Sequence, residues 1–379
     1  MKKISVLLVI GFCLLQMQRA QAWGFFAHQR INRLAVFTLP PEMMGFYKHH
    51  IVYLTENAVN PDARRYAVKD EAPRHYIDLD EYGDSAVYKL PRRWEDAVKK
   101  YTEDTLMAYG IVPWQINRMK FQLTRAFKDR NAREILRLSA DLGHYIGDGN
   151  VPLHTTSNYN GQMTNQKGIH GFWESRLPEL FSDNYDFFVG RAEYVERPQQ
   201  RAWQAVTEAN TALDSVFTFE RKLNAEYSPD KKYSYEQRGN VNTLVYSKAY
   251  SGDFHRMLGG QVERRMRAAI RMVGDFWYTC WVDAGQPDLN GLVDFKFSKE
   301  EQEQMQKEQQ EWQKRREGNT KIREEAHNHP HGADEDHHAF AEVEGDCSCC
   351  SFHVFLTETK IEMPIFALPP SRIPSVTAK

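Results

Sequence analysis

Apolar positions recur three and four residues apart along most of the chain, and strict alternation is scarce. Over DRNAREILRLSADLGHYIGD, Asp129–Asp148, the residues Ile135, Leu136, Leu138, Leu142 and Ile146 stand mostly at helical spacings with no proline, which predicts a core helix. Phe254–Asp283 predicts another, with a kink at Gly259-Gly260. Arg92–Ala108 and Pro198–Phe217 are further helices by the same pattern. Glu81–Pro91 and Ser228–Asn242 read as turn-rich connections, and no internal repeat is present. The expected fold class is all-α, with one mostly helical domain over 23–297.

The periodicity ends after Phe297. Ser298–Ala326 is almost entirely polar, and Ser298 with Glu301 forms a capping box, so a charged, solvent-exposed helix or linker is expected over 298–326. His327–His338 then gathers five of the fourteen histidines, Asp346–Cys350 holds three cysteines, and a Pro-rich apolar end follows. The segment 327–379 is thus a His/Cys-rich tail, read either as disordered or as a gatherer of metal.

The first 22 residues pattern differently again. Two lysines precede an apolar run from Ile4 to Leu15, and the segment closes on Ala20-Gln21-Ala22, the order of a secretory signal peptide. The run is about a dozen residues, short of the ~20 that a spanning helix needs. No later run suggests a membrane span. The expectation is an exported chain, periplasmic or secreted, beginning at Trp23.

Charge and cysteine content narrow the classes. A formal net charge of −2 shows no polybasic surface, which disfavours binding to duplex nucleic acid, where many phosphate contacts are needed. Between Trp23 and Phe297 the only cysteine is Cys280, so no disulfide can form within that body. Stabilisation beyond packing would come from metal.

The candidate chemistry centres on HYIGDGNVPLH. His144 and Asp148 are four apart and share a helix face. Gly149 and Pro152 then bend the chain, letting His154 return. HGFWE places His170 and Glu174 at the same spacing. Imidazole and carboxylate suit a borderline-soft divalent ion such as zinc. With 51 acidic residues among 379, fourteen histidines give roughly two such pairs by accident. The chain has four, two of them in the tail. The company of the central pairs is what separates them from surface ion pairs: Asp62 and His75 in VNPDARRYAVKDEAPRHYIDLD, and His28 five residues after Trp23.

The ordered set Trp23, His28, Asp62, His75, His144, Asp148, His154, His170 and Glu174 resembles the superfamily of zinc-dependent phospholipases C and single-strand-specific zinc nucleases, over roughly Trp23 to Gly285. The resemblance implies a mostly helical domain with three zinc ions in a cleft. It assigns Asp62, His75, His144 and Asp148 to one zinc, and His154, His170 and Glu174 to a second. A third would take the amine and carbonyl of Trp23 with His28 and a bridging Asp148. An α-amino group, with a pKa near ~8, releases its proton far more readily than a lysine. Signal cleavage would therefore complete the third position. Asp62 is also the candidate for orienting or deprotonating the attacking water. The step from Trp23 to His28 looks like the nucleases, whereas Glu174 and the spacing from His154 to His170 look like the phospholipases. Gly149 stands where phospholipases more typically carry a larger apolar residue.

The implied activity is hydrolysis of phosphodiester bonds, phospholipase C-like, on a phospholipid headgroup. The alternative is a nuclease or nucleotidase acting on single-stranded nucleic acid or nucleotides, and a third reading is a non-catalytic metal-binding protein. Among neighbouring residues, Phe25, Phe26 and Trp173 read mainly as packing, as do Tyr76 and Tyr145. Asp78 and Asp80 either orient histidines or belong to a solvated loop. GIVPWQI, Gly110–Ile116, reads as a packing segment without chemistry.

Overall fold

The computed structural model describes residues 23–65, 68, 70–238 and 241–317. These belong to one compact unit, Met1–His331; a second unit, Gly332–Lys379, lies outside the described residues. The expected signal peptide and His/Cys-rich tail also lie outside them.

The architecture is mostly α-helical, as the pattern predicts. Its helices include α1 (Trp23–Ala35), α2 (Asn60–Arg64), α3 (Val112–Lys128), α4 (Ala132–Asp148), α5 (Pro198–Glu226), α6 (Lys248–Met257), α7 (Gln261–Asp283) and α8 (Lys299–Glu317). Among the described residues a single two-stranded antiparallel sheet, β1 (Tyr233–Arg238) and β2 (Val241–Tyr246), interrupts them. No described helix is long and apolar enough to cross a membrane.

Helix α4 is the axis. Asn131 caps it by accepting a hydrogen bond from the Glu134 amide at 3.2 Å, and from Leu138 to Asp148 every residue is buried. A helix covered on all sides lies inside a core, and α1, α3 and α7 pack around this one. The approach of α1 is close because α4 offers glycines. A Cβ at Gly143 would stand 1.9 Å from Asn32 Oδ1, and one at Gly147 would stand 2.8 Å from His28 Nδ1. Helix α5 lies against α3, joined through the Trp114 and Trp203 rings, whose centroids are 5.0 Å apart at right angles. Buried Trp114 thus gives GIVPWQI a packing role.

Several sequence expectations need correction. Phe254–Asp283 is two helices, because Gly259 and Gly260 take positive φ values of 56° and 77° and break the chain outright. Arg92–Ala108 is likewise divided, into Trp94–Tyr101 and Glu103–Tyr109, where Thr102 adopts φ 69° and its hydroxyl caps the second piece. Pro198–Phe217 continues to Glu226, since Leu223 and Glu220 are still buried against the core. Ser228–Asn242 is largely hairpin rather than turn. Tyr233 pairs with Tyr246 and Tyr235 with Leu244, and the aromatic positions two apart in YSY fall on one face. Helix α8 does form, and Ser298 and Glu301 exchange the reciprocal bonds of the capping box at 2.7 and 3.2 Å.

Candidate metal centre

Six segments deliver acids and imidazoles to one buried point. Helix α1 carries His28, α2 carries Asp62, the short helical turn Ala72–His75 ends on His75, and α4 ends on His144 and Asp148. After Asp148 the chain turns back through Gly149 and Asn150 into the turn Pro152–Thr155, which presents His154. His170 and Glu174 follow on Ile169–Gly171 and the π-helical turn Phe172–Arg176. Single π turns inside helices cluster at functional sites.

Backbone bonds set the two loop histidines against each other. The His154 ring bonds through Nδ1 to the His75 carbonyl at 2.7 Å, and the Ile77 amide donates to the His154 carbonyl at 2.9 Å. The same loop is fastened from the other side: the Asp78 amide donates to Tyr109, and the amides of Ile111 and Val112 donate to Pro73 and Tyr76. Gly110 permits this approach, since with φ 88° a Cβ there would lie 2.3 Å from the Tyr76 carbonyl oxygen. Asp80 holds the chain beyond His154 by accepting from Thr156 Oγ1 and from Ser157 N, both at 2.9 Å. Of the two readings for Asp80, it serves the loop that carries a histidine.

The resulting geometry contains three buried groups able to hold a metal ion: Asp62, His75 and His144; His28, His144 and Asp148; and His154, His170 and Glu174. Asp148 links them. Its Oδ2 lies 2.9 Å from His75 Nδ1 and 3.1 Å from His144 Nε2, and its Oδ1 lies 3.3 Å from His28 Nε2 and 3.8 Å from His154 Nδ1. Glu174 Oε2 is 2.8 Å from His170 Nε2 and 3.2 Å from His154 Nε2. The His28 and His144 rings stack with centroids 4.1 Å apart. All eight residues are at most 4% exposed. The side chain of Trp23 lies outside the described residues; its backbone opens α1.

Three carboxylates in such a place are costly unless positive charge compensates them. Burial alone would depress both His144 and His154, but Asp148 beside each, with Asp62 near the first and Glu174 near the second, carries them up to about 9. Burial also opposes ionisation of Asp148, and His144 and His154 outweigh it, holding that carboxyl well below its ordinary range. His75 and His170 are pushed down, chiefly by burial, and burial pushes Asp62 up. The acids around His144 and His154 thus favour positive charge at this point, a preference that a metal ion would also satisfy. Asp62 Oδ2 is buried without a hydrogen-bond partner, an acceptor such as an ion would use. The donor set, imidazoles with carboxylates, fits a divalent transition ion.

Other parts of the arrangement had weaker sequence signals. Arg176, two residues after Glu174, is buried and grips Glu236 of β1 bidentately at 2.9 and 2.6 Å, while its Nε donates to the Tyr246 carbonyl at 3.0 Å. Phe172 stacks on Tyr246 at 3.9 Å. The hairpin thereby braces the segment carrying His170 and Glu174. Gly239-Asn240 between alternating residues was the available hairpin signal. Glu71, buried behind His75, stands four residues before that histidine, on the side a search for later acids does not reach. Trp173 is core, its Nε1 bonded to Gln261 at 3.0 Å. Tyr76 is core as well, but buried Tyr145 also donates its hydroxyl to Glu71. Phe25 and Phe26 are half-buried. Beside His28 and Glu174 lies a mainly apolar pocket, lined by Ala27, Ile31, Val151, Trp173, Val262 and Met266 among others.

These features define a mostly helical protein with a buried cluster of metal-binding character. Comparison with models of known protein families and with curated proteins returned no match.

Proposed function

We propose that this protein is a zinc-dependent hydrolase of phosphodiester bonds, phospholipase C-like, with the mature chain exported and beginning at Trp23. The observation that carries this reading is Asp148: one buried carboxylate reaching histidines of all three groups, which suits ions held close together. Closely spaced divalent ions, when bound, lower the pKa of water and neutralise charge on the attacking and leaving oxygens of an in-line displacement.

The chain's own residues supply the rest. Asp62, His75, His144 and Asp148 hold the first position, His154, His170 and Glu174 the second, and His28, Asp148 and the freed backbone of Trp23 the third. Asp62 is also the candidate for orienting or deprotonating the attacking water. Glu174 and the step from His154 to His170, which resemble the phospholipases rather than the nucleases, favour a phospholipid over a nucleotide.

The test is hydrolysis of a phosphatidylcholine analogue and of a single-stranded oligonucleotide by zinc-loaded mature protein, with and without chelator, alongside Asp148→Ala. Chelator-sensitive release of the phosphorylated headgroup, lost in Asp148→Ala together with bound zinc, is the expected result. Preferential cleavage of the oligonucleotide would reassign the substrate to the nuclease reading. No hydrolysis of either would leave a metal-binding protein. Wild-type hydrolysis by metal-free Asp148→Ala would refute the site.

A further inference from the structure

Behind His75, on the side away from Asp148, lies a second polar cluster that none of the proposed metal positions uses. Its centre is Glu71, 1% exposed. Glu71 Oε1 accepts from the Tyr145 hydroxyl and from Arg64 Nη2, the latter at 3.4 Å, and Oε2 accepts from Arg74 Nη1 at 2.7 Å. Arg64 also donates to Asp141 Oδ1 at 3.2 Å and to the Tyr145 oxygen at 3.3 Å. Arg137 reaches Asp141 Oδ2 at 3.3 Å.

The membership of this cluster is informative. Arg64 stands two residues after Asp62, Glu71 four before His75, Asp141 three before His144, and Tyr145 one after it. Each segment that brings a donor to the first group is thus tied to the others from behind. The bonds of the histidines point the same way. His144 bonds through Nδ1 to the Ala58 carbonyl at 2.8 Å and presents Nε2 to Asp62 and Asp148, and His154 bonds through Nδ1 to the His75 carbonyl and presents Nε2 to Glu174. His75 is reversed. Its Nδ1 faces Asp148, Asp62 and His144 Nε2, at 2.9, 3.7 and 3.0 Å, while Nε2 is buried without a hydrogen-bond partner, with Glu71 Oε1 at 3.8 Å.

We infer that Glu71 is a positioning residue for the first metal position: its carboxylate selects the Nε2–H tautomer of His75, so that Nδ1 turns its lone pair towards Asp62, His144 and Asp148. The inference rests on the reading that this group binds a divalent ion. A carboxylate behind a metal-binding imidazole fixes the ring's orientation and raises its basicity, and losing such a partner typically weakens metal binding ~10–100-fold. Arg64 Nη2 and Arg74 Nη1 lie 3.4 and 2.7 Å from the Glu71 carboxylate and place positive charge against it.

The experiment compares the full mature chain with Glu71→Ala and Glu71→Gln. Zinc and cobalt(II) binding would be measured by chelator competition, and the His75 tautomer by nitrogen NMR on protein labelled at histidine. The expected result is a fall of ~10–100-fold in affinity for one ion in Glu71→Ala, with the others retained. An altered cobalt spectrum and loss of the His75 Nε2–H signal should accompany it. Glu71→Gln, which keeps the size and an oxygen of the side chain but removes the carboxylate, should lie between. If Glu71→Ala does not fold, the Gln variant decides by the same readouts. Unchanged tautomer and affinity in a folded variant overturn the inference alone. A wild-type chain that binds no divalent ion overturns the metal reading and this inference with it.

Discussion

Gly147→Ala places a single methyl between the two helices that hold the metal candidates. The added Cβ would stand 2.8 Å from His28 Nδ1, 3.0 Å from His28 Cε1 and 3.8 Å from Ile31 Cδ1. Ordinary carbon contacts begin near ~3.5 Å, so the imidazole must retreat by roughly half an ångström or more. It has little room, being 3% exposed and stacked on His144. Two effects then compete in stability. Alanine in a helix interior is favoured over glycine by about 1 kcal/mol, and overpacking a core costs ~1–3 kcal/mol. The net expectation is a loss of ~0–2 kcal/mol, small beside the effect on binding. Functional constellations tolerate about 0.5 Å of misplacement, so the ion proposed at His28 and Asp148 should bind at least ~10-fold more weakly. Gly45→Ala is the control: its Cβ would meet nothing within 4 Å, so the change should stabilise by ~0.5–1 kcal/mol. Urea unfolding gives the stabilities, and elemental analysis with chelator competition gives the ions. If Gly147→Ala gains as much stability as Gly45→Ala and keeps its full ion complement, the close approach of α1 to α4 does not position His28.

Two further outcomes follow from the same structure. Asp78 is fully buried with neither carboxyl oxygen hydrogen-bonded, and burial, aided by Asp80 and Glu81, pushes it up to about 8. The folded chain therefore keeps a proton that the unfolded chain has lost between pH about 4 and 8, so this residue makes stability fall as pH rises through that window. Asp78→Asn should flatten that fall, and equal pH dependence of the urea midpoints in both proteins would refute it. Retaining a methionine before Trp23 replaces the proposed α-amine by an amide, which should remove one ion and most activity; full activity and an unchanged ion count would show that the free amine is not used.

Much of the fold was legible because helical periodicity is a local signal and α4 states it without interruption. Where the reading failed, a backbone conformation decided. Gly259-Gly260 suggested a bend but ended the helix, and Thr102 took positive φ in a stretch whose composition is helical throughout. The hairpin was missed because its strands are only six residues each and gain their partners from Arg176 and Phe172, far away in sequence. Spacing singled out the central pairs, the resemblance to a zinc-enzyme superfamily completed the set of eight acid and imidazole side chains, and the structure gathers them. What spacing could not convey was the support. Glu71, Arg64 and Tyr145 look like surface charge and core aromatic until tertiary contact reveals a network, and Gly147 has no side chain to draw notice.

Because Asp148 faces histidines from every group, the centre has no independent compartments. On the proposed function, a lineage drifting away from hydrolysis could abandon His28 or His170 and keep a partial metal binder. Change at position 148 offers no such halfway state, since it disturbs all the neighbouring rings at once. Relatives that have given up the proposed chemistry should therefore differ at that aspartate in company with several partners, and seldom alone.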